Sequence, residues 1–141
     1  MSKSNAAEND YLGLIYKGTA IANIADNAAS SPLTAIFLAL HTADPGESGT
    51  QSTSECTYTG YVRKSVARGA GFNLSGNVVT LAADAEFAPC TAGSETASFF
   101  STGVASSGAT KILHSGSVTP PIIISNGVTP ILTTATSITE D

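Results

Sequence analysis

Tryptophan is absent from this 141-residue chain, methionine occurs once, and aromatic residues amount to 6%. Charged residues make up 12%, roughly half the usual share. No apolar run reaches the length of about 18 residues that a transmembrane helix needs. Basic residues are the scarcest: six Lys and Arg stand against eleven Asp and Glu, for a net charge of −5 and a pI near 4.8. Phosphate binding needs a basic footprint, so this balance argues against nucleic acid and against an anionic membrane surface as partners. The opening "MSKSNAAENDYLGL" places acidic residues where a secretory signal needs an apolar stretch, which predicts synthesis and retention in a cytoplasm. Two cysteines, Cys56 and Cys90, are too few for a disulfide framework. Free thiols are expected, with pairing left open for a particle that leaves the cell.

What fills the chain is Ser, Thr, Gly and Ala. Hydrophobic residues reach 42%, but many are alanine, so the expected core is thin. Met1 to Asn9 reads as a flexible arm, and residues 10–141 as a single domain. Partial 3.6-residue periodicity in "DYLGLIYK", with Asn9 or Asp10 as cap and Lys17-Gly18 as stop, predicts a short helix near Asp10 to Lys17. A loop is expected over Asp26 to Pro32. From Leu33 onward the signals are β. "LTAIFLALHT" predicts a central strand covered on both faces, ended by the turn-forming Asp-Pro-Gly. "TGYVRKSVAR" alternates as a half-buried strand, and "GFNLSGNVVTLA" reads as a hairpin turning at Ser-Gly-Asn. "AEFAP", "TASFFSTGVA", "TKILHSGSV", "PIIISNG" and "TPILTTATSI" follow at the spacing usual for sandwich strands. The predicted class is all-β, a jelly-roll-like antiparallel sandwich with a short N-terminal helix. Expected core positions include Leu14, Ile15, Ile36, Leu38, Leu40, Val62, Val79, Phe87 and Ile124.

No catalytic or cofactor signature emerges. His41 and His114 have no ligand spacing between them and read as half-exposed strand residues. Asp44, Glu47 and Glu55 share one long loop without the calcium-loop pattern, and read as solvated carboxylates. Asp84 and Glu86 lack the aromatic platform of a sugar-cleaving site. "GAGFNLSG" ends in no Lys-Ser/Thr pair and is not a phosphate loop. Cys56 has no neighbouring base. Arg63, Lys64 and Arg68 form the one basic cluster, read either as a solvated strand or as a contact that fixes register with an acidic partner. No metal, cofactor or enzymatic activity is expected.

Three segments in order, "YLGLIYKGTA", "IFLALHTADPGESGT" and "SECTYTGYVRKSV", resemble a family of small tailed-bacteriophage virion proteins. In that family a short helix precedes a strand of the "L-A-L-H-T-A-D-P-G" type, followed by a polar loop and "G-Y-x-R", here Gly60, Tyr61 and Arg63. The second half is similar in layout, with "ASSG" and "SNG" turns between strands. Members are often labelled tail-fibre proteins, and several resemble capsid decoration (cement) proteins. Fibre shafts show repeats, and this chain has none. The resemblance implies a decoration protein on the outer capsid surface of a virion, made in the host cytoplasm. Its partners would be the major capsid protein and further copies of itself, as dimer or trimer. The loop Thr42–Gly60 would clasp a neighbour, with Asp44, Glu47, Glu55, Tyr58, Tyr61, Arg63 and Lys64 at the contact. A tail or collar component and a carbohydrate-reading domain that uses Tyr58, Tyr61 or Phe72 stay open as alternatives.

Overall fold

The computed structural model describes residues 5–21 and 33–140, and these cluster into two compact units. The expected loop over Asp26–Pro32 lies outside the described residues. The chain is mostly β, with antiparallel sheets and one short N-terminal helix, consistent with the predicted class.

The first unit holds the helix, the hairpin and the C-terminal strand. Helix α1 spans Asn5–Leu12 and continues through one π-helical turn, Gly13–Lys17. Asn5–Asn9, assigned to an arm by the sequence, are therefore helical, and Met1–Ser4 lie outside the described residues. The predicted stop holds: Gly18 adopts a left-handed φ of 72°, and Thr19 N–H donates to the Gly13 carbonyl. The buried stripe is Leu12 and Tyr16, four residues apart, instead of the expected Leu14 and Ile15, which are half-buried. Tyr16 meets Phe72 edge-on, with ring centroids 5.0 Å apart. Two cations close the helix end. Lys17 donates to the carbonyls of Gly69 and Phe72, and Arg68 to those of Ile15 and Leu14. The predicted hairpin is present as β3 and β4 below, with Gly76 at φ 59° in its turn.

In chain order the strands are β1 (Ala35–His41), β2 (Lys64–Ala67), β3 (Phe72–Ser75), β4 (Val78–Leu81), β5 (Ala85–Glu86), β6 (Glu95–Gly103), β7 (Ile112–Ile124), β8 (Ile131–Leu132) and β9 (Ser137–Thr139). The first unit's sheet runs β3-β4-β9; its core is Leu12, Tyr16, Phe72, Val79, Leu81 and Ile138.

The second unit carries the four-stranded sheet β2-β1-β6-β7 and the small sheet β5-β8. β1 is central and packed on both faces, as its unbroken apolar run predicts; Ile36, Leu38, Ala39, Leu40 and His41 are all buried. Three strand expectations are corrected. "TGYVRKSVAR" is regular only from Lys64, because Tyr61 and Arg63 turn inward to the loop before it; Val62, expected in the core, is 62% exposed. "TKILHSGSV" and "PIIISNG" form one strand, β7, whose pairing with β6 shifts register around Pro120-Pro121, where the ladder lacks N–H donors. "TPILTTATSI" divides into β8 and β9 at a turn closed by the Thr136 N–H and the Thr133 carbonyl.

Candidate functional site

The long polar loop after β1 lies in the second unit, and it is folded hard onto its own sheet. Asp-Pro-Gly turns the chain as predicted: the Asp44 carboxylate accepts the Gly46 N–H at 2.9 Å, and the Gly49 N–H reaches the Gly46 carbonyl at 3.2 Å. The loop then runs back beside the end of β1. Thr42 N–H donates to Ser54, and Cys56 N–H donates to Leu40 at 2.9 Å. Gln51, which composition alone would leave in solvent, is fully buried. Its amide nitrogen donates to the Phe37 carbonyl at 2.9 Å, and its side chain lies against Gly103, where any Cβ would collide with it.

Arg63 is the hub. Its side chain is 1% exposed, and its guanidinium grips Glu55 at two points, Nε to Oε1 at 2.7 Å and NH2 to Oε2 at 2.8 Å. This fork is the strong form of an ion pair. The remaining donors reach the Ala105 carbonyl (3.1 Å), the Gly108 carbonyl (2.7 Å), Thr110 Oγ1 (3.1 Å), Gln51 Oε1 (3.3 Å) and Ser52 Oγ (3.3 Å). One cation thus ties the Thr42–Gly60 loop to the β6–β7 loop. Tyr61 adds a second brace: its hydroxyl donates to Glu55 Oε1 at 3.0 Å and accepts the Leu40 N–H at 3.1 Å. The Tyr61 ring stacks on Phe87 at 6.2 Å and takes the edge of Tyr58 at 5.3 Å.

An open groove of about 450 Å³ lies over this hub, lined by Ser52, Glu55, Thr57, Val62, Ser106 and Ser107 among others. The ionisable groups around it are held neutral or paired. Burial, then Glu95 and its hydrogen bond, push the Cys56 thiol up to about 12, so it is no thiolate at neutral pH. Burial likewise raises the Tyr58 phenol to about 12 and moves Tyr61 upward. His41, expected half-exposed, is fully enclosed. Burial holds it below its ordinary value, against the opposing hydrogen bond to the Thr53 carbonyl and the nearby carboxylates. Cys56 and Cys90 are free and buried.

The seven residues predicted at a contact separate clearly. Asp44 and Glu47 sit exposed on the outer turn of the loop, and Lys64 is half-buried on β2. Glu55, Tyr58, Tyr61 and Arg63 do come together, but inwards. Arg63 therefore braces its own loop and is not an exposed contact, because every one of its donors ends within the chain. Tyr58 is enclosed, its hydroxyl on the Ala88 carbonyl at 2.8 Å. Sequence reasoning missed Gln51, Ser101 and Thr110. Their partners lie far away along the chain, and no local pattern marks them.

Comparison with known proteins first gives the class: this is a structural protein of a bacteriophage virion. In particular, a family model described as "Podophage GP4 fiber I protein gp80" matches residues 2–139, and the chain belongs to that family. No curated protein matches.

Proposed function

We propose that the chain decorates the outer surface of the phage head, binding the major capsid protein and stabilising the shell, with no catalytic role. The observation behind this reading is the pair of loops locked together by Arg63. A contact surface built of loops binds best when the loops are ordered beforehand, since the ordering entropy is not lost on association. The outer turn bearing Asp44 and Glu47 is the exposed end of this fixed block, with Lys64 nearby in sequence. Such charges set register and steer encounter. Strands of two to thirteen residues without a repeat suit a globular unit better than a shaft. Self-association as a dimer or trimer multiplies weak contacts into lasting attachment. Neither nucleic acid nor membrane is a partner in this reading.

A second reading, a component of a virion fibre, is favoured by the family's own description. The carbohydrate-reading alternative loses support: Tyr58 and Phe72 are enclosed, and one face of the half-buried Tyr61 ring is stacked on Phe87. Band stoichiometry of purified particles separates head from fibre. Copies in proportion to the capsid lattice support decoration, whereas a trimer or ring number refutes it. Within the decoration reading, Glu47→Lys, at an exposed position, leaves the melting temperature in place and weakens binding to undecorated heads. Gln51, Glu55 and Cys56 bind the loop to its own unit, so excising Glu47–Thr57 is expected to destabilise the second unit.

A further inference from the structure

We propose that His41 is an acid-sensitive latch, whose neutral ring holds the Thr42–Gly60 loop on its sheet and whose protonation lets the loop lift. The ring closes the end of β1 and touches two elements at once. Nδ1 lies 2.8 Å from the Thr53 carbonyl, an oxygen that only accepts, so Nδ1 carries the hydrogen. Nε2 lies 2.8 Å from Ser101 Oγ on β6 and therefore accepts the hydroxyl hydrogen. One tautomer of the neutral ring satisfies both bonds. A second proton must go on Nε2 and turn that acceptor into a donor. Ser101 then has to rotate its hydrogen away, and a cation is left where no solvent reaches.

The charged groups facing the ring are Glu55 and Asp44 from the loop and Arg63 from the segment after it. Glu55 and Asp44 favour the cation and Arg63 opposes it. Glu55 is already paired with Arg63, and Asp44 is solvated and screened. From β6 the ring meets Ser101 and its register partner Phe99, neither of them charged. Burial therefore decides the balance.

In the open loop the ring stands in water and takes up a proton near pH 6.5. The closed loop resists the proton to lower pH. The closed state is thus fully favoured above about pH 6.5, and loses ground by up to about tenfold per pH unit below it. That window lies above the range in which ordinary carboxylates titrate. Any consequence for virion attachment rests on the reading above, because Asp44 and Glu47 ride on this loop. The latch itself is tested on the free protein, so the two ideas fail separately.

The test is amide hydrogen exchange on the purified full chain, as protection factors between about pH 7.5 and 5.5. Thr42, Gln51 and Cys56 donate the amide bonds that hold the loop, and Phe87 and Cys90 donate reference bonds elsewhere in the same unit. The three loop amides should lose protection, by up to about tenfold across the window, while the references hold, and His41→Gln should flatten the response. Constant loop protection in the wild type, an equal loss at Phe87 and Cys90, or an unchanged response in His41→Gln would overturn the proposal. His114→Gln serves as control and should keep the response; a response that vanishes with His114 overturns it too. If His41→Gln does not fold, ring nitrogen shifts of the wild type decide. The Nδ1–H tautomer at neutral pH, titrating below 6.5 together with loop amide shifts, supports the latch, and the Nε2–H tautomer or titration above 6.5 refutes it.

Discussion

Replacing Arg63 by Met retains the length of the side chain and removes its charge and donors. Glu55 is then left with the Tyr61 hydroxyl in a site where its own side chain is 15% exposed. Breaking a buried pair from one side costs about 3–5 kcal/mol. The partial exposure of Glu55, and of the Gly108 carbonyl that Arg63 releases, places the loss near the lower end, at about 3 kcal/mol. That is a large part of the 5–15 kcal/mol or so that holds an ordinary domain together. Urea denaturation reads the loss directly. The loss should scarcely depend on salt, because the pair is enclosed and screening acts mainly on exposed charges. Arg63→Met with Glu55→Leu should lie closer to wild type than Arg63→Met alone, since removing both charges leaves none stranded. A single-mutant loss below about 1 kcal/mol, or a double mutant that simply adds the two single losses, would show that the pair does not hold the loops.

Gly103→Ala forces a methyl group into the space that Gln51 fills and should cost about 1–3 kcal/mol in the same urea assay, with Gln51→Ala partly relieving it. Cys56 should resist alkylation at pH 8 in the folded chain and react on unfolding, as followed by mass spectrometry. Its folded value lies above the ordinary 9.0, so its contribution to stability is complete below pH 9 and drains away as the pH rises towards 12; Cys56→Ala should remove the onset of that loss in thermal melts.

Local chemistry was legible in the sequence where one short stretch decides the outcome. β1 was readable because its apolar run has nowhere to go but the middle of a sheet. So were the Asp44-Pro45-Gly46 turn, the β3–β4 hairpin and the Gly18 stop. The helix register was misread because Leu12, Leu14, Ile15 and Tyr16 are all apolar, and periodicity cannot choose the buried pair among them. The segment at Tyr61–Arg63 was misread for a different reason. Alternation alone looks like a strand, yet Glu55 and Gln51 pull the two polar side chains inward and turn Val62 out to solvent. The site residues were named, but the direction in which they face depends on Ala105, Gly108 and Thr110, more than forty positions further on.

Of the chain's six cations, Lys17, Arg63 and Arg68 all end on carbonyl oxygens of their own backbone. Among the described residues Lys111 and Lys17 are the exposed cations, the latter already bonded to two carbonyls, and Lys64 is half-buried, while Asp10, Asp44, Glu47, Asp84 and Glu86 are exposed. The molecule therefore spends its positive charge on folding and shows an approaching surface mainly its negative charge. A partner that grips the exposed carboxylates through ion pairs has to bring the lysines and arginines itself.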